Sequence, residues 1–333
     1  MPRIKSTSFV AGAAVATLDD YVSALAWSSC GEHLGAASLA GDSLIISGDA
    51  RQRPPLHAGG GLALAWSPTA PILALGGQDG IVRARNDCRT LLPLQFSDWV
   101  NALAWAPTGR YLAIASGRDL ILADDNMDVI CTSQNTSTVT SLAWSPDSRR
   151  VGAGCYGGIA WHEPPTAQPV KRFDWKGSIL TLAISPNGKW VASGNQDSSV
   201  HVWRLWSGKD LQMSGYDAKI EHIAWDPTSR WLCVGGVGEV TVWDFNGKGP
   251  QGSRPISLEG HNRHITGVAF NGNRLATSAA DGTLFIWQLP ADEPLATCDL
   301  GQEISRVAWH PSGQRLAIGT ATGDIFIVNH PTA

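Results

Sequence analysis

Leu142-Ala143-Trp144-Ser145-Pro146 is one copy of a phrase that decides how this chain folds. Leu103-Ala104-Trp105-Ala106-Pro107 and Leu64-Ala65-Trp66-Ser67-Pro68 precede it at equal steps, and Leu25-Ala26-Trp27-Ser28 stands before them. Downstream the phrase returns as Leu182-Ala183-Ile184-Ser185-Pro186, Ile223-Ala224-Trp225-Asp226-Pro227, Val268-Ala269-Phe270 and Val307-Ala308-Trp309-His310-Pro311. Its third position therefore falls at 27, 66, 105, 144, 184, 225, 270 and 309, in steps of 39, 39, 39, 40, 41, 45 and 39.

A period near 40 is that of a four-stranded propeller blade. The seventh unit can be parsed directly. Residues 265–270 read as a strand, Asn271-Gly272-Asn273 as a turn, and 274–278 as a second strand. Asp281-Gly282 then forms a tight turn before a third strand ending at Trp287. Asp-Gly between two apolar runs is a hairpin signal, because glycine takes positive φ without a steric cost. Gln78-Asp79-Gly80 and Gln196-Asp197-Ser198 repeat the turn in units two and five, and no long helical period interrupts the series.

Over about residues 20–329 the units resemble WD40 repeats: an apolar strand, a Ser-Pro-x-Gly turn, a second strand, Asp-Gly, and a strand ending in Trp-Asp. Val240-Thr241-Val242-Trp243-Asp244 is the best copy of the ending, and Trp161, Trp203 and Trp287 hold the same place elsewhere. Units one, two, three and eight lack that Trp; Ser47, Arg85 and Val328 are the nearest equivalents in one, two and eight. The family's Gly-His survives once, as Gly260-His261. The resemblance thus implies the buried structural network of His261, Ser278 or Thr277, Asp281 and Trp287 in unit seven alone. In the other units the recurring first-strand Trp is expected to supply packing. This accounts for ten of the 15 tryptophans and leaves Trp99, Trp175, Trp190, Trp206 and Trp231.

All eight units carry a first-strand phrase and two further strands, so the fold expected is all-β: a single closed propeller of eight four-stranded blades over 1–333, with seven blades as the alternative count. The last unit ends at Asn329-His330 without a fourth strand of its own. Residues 9–18 are apolar enough to supply it and close the ring, with 1–8 as a flexible N-terminus. Arg3 and Lys5 before the apolar run give it some likeness to a signal peptide, but the run is short and Asp19-Asp20 follow at once.

Composition narrows the function. The net charge is −4, with no basic run, which is a poor match to a phosphate backbone and argues against nucleic acid as the partner. The six cysteines, Cys30, Cys88, Cys131, Cys155, Cys233 and Cys298, are scattered without a CxxC pair. They read as thiols in a reducing, cytoplasmic compartment. No apolar stretch reaches the ~20 residues of a membrane span. Walker, GxSxG, HExxH and EF-hand patterns are absent, so no enzyme activity, metal or cofactor is expected. His261 falls where the family's structural histidine does, and Asn135-Thr136-Ser137 is read as a chance sequon.

The resemblance places the loops leading into each first strand, and the turns between second and third strands, on one face. Candidates for a partner-binding face there are Tyr21, Trp99, Tyr156, Trp175, Lys219, Glu221, Arg263, His264 and Glu303. Aromatics in such loops are the residue types that dominate interface hot spots, and the mixed charges suit a polar rim. The expected function is a noncatalytic scaffold or adaptor binding another protein or peptide, as a monomeric propeller or a subunit of a complex. The alternative is a metal-handling or enzymatic propeller using His222, Glu221, His264 and Glu303 at the central channel.

Overall fold

The computed structural model describes residues 6–85, 91–166, 168–207, 209–247 and 249–329. Cys88, His330 and the first five residues lie outside them; the five described cysteines are all free thiols. Among the described residues every regular element is a strand, and no helix is long and apolar enough to cross a membrane.

Eight four-stranded units follow one another. Blade one is Val22–Trp27, Leu34–Ser38, Ser43–Ser47 and Ala50–Gln52, each strand antiparallel to the one before. Blade three repeats the plan with Val100–Trp105, Tyr111–Ser116, Asp119–Asp124 and Val129–Gln134. Two boundaries run through continuous strands. Pro169–Ile184 ends blade four and opens blade five, and Ile256–Asn271 ends blade six and opens blade seven.

The apolar cores lie between neighbouring blades. Second strands such as Leu34–Ser38, Leu73–Gly77 and Trp231–Gly235 are buried along their whole length, because both faces of each sheet meet another sheet. Blade eight, Ile304–Trp309, Arg315–Thr320 and Asp324–Asn329, packs on blade one through Ala317, Ile325, Leu18, Val22 and Leu34. Ser305 Oγ also donates to the Val22 carbonyl at 2.9 Å.

The N-terminal segment serves two blades. Ala16–Thr17 pairs antiparallel with Asp324–Asn329 as the fourth strand of that sheet, flanked by bonds from the Val15 and Leu18 amides. The pairing is shorter than residues 9–18. Upstream, Thr7–Ser8 adds a parallel strand to Pro294–Asp299 of blade seven, so these two residues are not part of a free tail.

The first-strand tryptophans do more than fill space. Trp66, Trp105, Trp144, Trp225 and Trp309 each donate the indole N–H to a carbonyl of the preceding blade: Ala26, Ala65, Ala104, Ala183 and Ala269, at 2.9–3.2 Å. Ile184 and Phe270 have no N–H to offer. Trp27 Nε1 is buried without a partner, and its ring instead meets His310 edge-on at 4.8 Å.

The structure decides one open choice in the blade networks and adds a second copy. In blade seven the polar chain runs through Thr277, which bonds His261 Nε2 at 2.8 Å and accepts from Trp287 Nε1 at 2.9 Å. Ser278, the next residue of the strand, faces the other way and meets Thr266 Oγ1 at 3.3 Å, since alternate strand residues point to opposite faces. Thr283 links His261 to Asp281. Nor is unit seven alone: His57 stands as far before Gly61 as His261 does before Ile265. It contacts Asp79 at 2.9 Å, and Asp79 pairs with Arg83 at 3.0 Å. The residue before His57 is Leu56, so a search for Gly-His passes over this copy.

Candidate functional site

The loops leading into the first strands are tied to the second–third turns of the same blades by a repeated backbone bond. The carbonyls of Tyr21, Gly60, Trp99, Ser178, His264 and Glu303 accept from the amides of Leu39, Gln78, Gly117, Gln196, Ala280 and Ala321. Main-chain groups at these positions are thereby committed, while side-chain identity stays free. One face of the ring is built this way.

The nine predicted residues do not act as one cluster. Trp99 and Tyr156 are exposed, at 56% and 55%, which is high for rings of their size. Tyr21 and Glu303 are half-buried. Trp175 is half-buried too, with its ring 4.2 Å from that of His201 in its own blade, so it covers blade five more than it presents a surface. Lys219, Glu221, Arg263 and His264 come together, lining a cavity of about 620 Å3 between blades six and seven.

Backbone pairing shapes that cavity. Val237 is opposite His264 in the ladder, and the register shifts before Glu239. A Cβ on Gly235 would sit 2.8 Å from Ile265 Cγ2, so only glycine leaves this wall clear. Lys219 Nζ meets Glu221 Oε1 at 3.0 Å, with both side chains about half exposed.

His222 also lines the cavity, and its imidazole is pushed down to about 3. Burial is the largest cause; the electrostatic influence of Arg306, His264 and Lys219 adds to it. Arg306 reaches from blade eight to the Ser23 carbonyl of blade one at 2.8 Å. It was not among the expected site residues, but the repeat contains the signal. The position after the phrase's approach reads Ala24, Ala63, Ala102, Ser141, Thr181, His222, Gly267 and Arg306. A column of small side chains is broken twice, and the two large groups are close enough to influence each other.

His162 and His261, both buried, are each pushed down to about 4, chiefly by burial. A histidine whose folded pKa lies below its ordinary 6.5 stabilises the fold above that value. This contribution is lost as pH falls toward the folded pKa, because the unfolded chain takes up protons that the folded one refuses. The urea midpoint is therefore expected to drop as pH falls from 7 to 4.5, above the range where most carboxylates titrate. His222→Gln should flatten part of the slope, and a midpoint constant over that window contradicts the assignment.

The channel does not assemble the metal reading. Among the described residues, the one set of three His, Cys, Asp or Glu side chains near enough to share an ion is Cys30, Glu32 and His33. It lies in the turn between the first two strands of blade one, away from Glu221, His222 and His264.

The family model for the WD domain, G-beta repeat, matches residues 88–122, 128–160, 167–204 and 252–288. The chain carries WD40 repeats at these four places. Curated relatives include THO complex subunit 3 of Arabidopsis thaliana, 24% identical over 47% of this chain and 51% of that protein. Protein HIR1 of Cryptococcus neoformans is 25% identical over 45% of this chain and 20% of its own length. WD repeat-containing protein 1 of Bos taurus is 27% identical over 46% and 26%. The alignments span about half or less of these relatives' lengths. The crystal structure of the computationally designed Ika8 protein superposes on 96% of this chain and 99% of its own with a TM-score of 0.81, at 20% identity, a likeness of fold alone.

Proposed function

We propose that this WD40 ring is a noncatalytic interaction scaffold that holds another protein or peptide on the face carrying Trp99, Tyr156 and the cavity between blades six and seven. The observation that carries the reading is the exposure of two large aromatics on backbone that is already paired: Trp99 on an entry loop whose carbonyl accepts from Gly117, and Tyr156 in the strand Val151–His162 opposite Ser178. A rigid loop presenting an exposed ring loses little entropy when a partner covers it. The charged groups nearby form the polar surroundings of a docking face. One relative bears the name of a complex subunit, in keeping with action by binding.

Affinity capture from native lysate, with wild type and the Trp99→Ala, Tyr156→Ala double variant, tests this. A partner retained by the wild type should be held about 30-fold or more weakly by the variant, the scale of a hot-spot pair. An identical partner set at equal recovery removes these two rings from the proposal.

A further inference from the structure

We infer that the cavity between blades six and seven receives an acidic peptide segment, with a partner carboxylate seated between Lys219 and Arg263. The inference rests on the docking-face reading above and names the chemistry of its occupant.

Charge is the first ground. The chain carries 25 Lys and Arg against 29 Asp and Glu, yet this cavity reverses the balance. Lys219 and Arg263 line it, Arg306 is near enough to act on its wall, and Glu221 is the one carboxylate among the described wall residues. Arg263 is exposed and makes no ion pair among the described residues. Among the described residues Arg306 donates to the carbonyls of Ser23 and Ser305 alone. A guanidinium fork without a carboxylate partner is suited to bidentate capture of one.

Glu221 supplies the second ground. Its carboxylate holds Lys219 at 3.0 Å as a guest carboxylate would, in a half-exposed pair worth little by itself. The cavity is thus primed by a weak internal stand-in that a stronger anion displaces. Val237, 46% exposed on the same wall, offers an apolar shelf for an aliphatic neighbour of the incoming acid. A volume of about 620 Å3 suits a few side chains. An extended nucleic acid fits less well, since it needs a run of cations along its backbone and the rest of the chain is net negative.

The test is fluorescence anisotropy on the full chain with a fluorescein-labelled Gly-Glu-Leu-Glu-Leu-Glu-Gly peptide and its Gln counterpart. The acidic peptide should bind at least about tenfold tighter than the Gln peptide. Arg263→Ala should weaken it about tenfold or more, and Glu221→Gln should tighten it about two- to fivefold by releasing Lys219. Both side chains are exposed, and thermal melts of the variants verify folding. Equal binding of the two peptides, no effect of Arg263→Ala on a folded protein, or weaker binding by Glu221→Gln each overturns the inference. So does tighter binding of a labelled single-stranded oligonucleotide of equal charge, which would reassign the cavity to nucleic acid. If the peptide fails while lysate capture still depends on Trp99 and Tyr156, the docking face stands and only the acidic occupant is lost.

Discussion

Trp144→Ala is expected to lower stability by about 3–5 kcal/mol, read as a shift of the urea midpoint. The side chain is 8% exposed and packs with Leu122, Val139 and Val151 between blades three and four. Truncation opens a cavity there and also strips the Ala104 carbonyl of its 2.9 Å donor. Trp144→Phe is the milder change. It keeps an aromatic ring, as Phe270 does naturally in the same column, but loses the N–H together with part of the indole volume. A loss of about 1–3 kcal/mol is expected for the Phe variant, from the unmade inter-blade hydrogen bond and the smaller void together. If Phe is as stable as Trp, the bond contributes nothing and the column is packing alone.

Removing residues 1–18 is expected to be as severe. Leu18, 2% exposed, belongs to the core joining blade eight to blade one, and Leu18→Ala alone should cost about 2–5 kcal/mol. Deletion also strips the Asp324–Asn329 strand of its Ala16–Thr17 neighbour, leaving unpaired amides and carbonyls along an exposed edge. The truncated chain should unfold at markedly lower urea and self-associate with rising concentration in light scattering. A truncated chain that stays monomeric with an unchanged midpoint would show that the N-terminal segment does not seal the ring.

Much of the candidate face was legible before any coordinates. Trp99, Tyr156, Lys219, Glu221, Arg263 and His264 were all reached by counting from the Leu-Ala-Trp phrase to the loops on either side of it. Counting could not tell Trp99, which is exposed, from Trp175, which folds onto His201: both are aromatics a few residues ahead of a first-strand phrase, and only packing separates them. Nor could it show that Arg306 bears on His222, because the two lie in different blades and no periodicity relates one blade's loop to another's side chain.

By itself the sequence determined that this chain forms eight similar sheets, where their strands lie, and which columns are buried. Those features are local: alternation along a strand and glycine at a turn are felt within a few residues. Tertiary structure alone decided which carbonyl each indole finds some 40 positions upstream, that His57 joins Asp79 and Arg83, and that Thr277 rather than Ser278 serves His261. Such choices depend on how neighbouring blades are rotated against one another as the sheets stack into a ring. That rotation is a property of the assembled core, which no single repeat encodes.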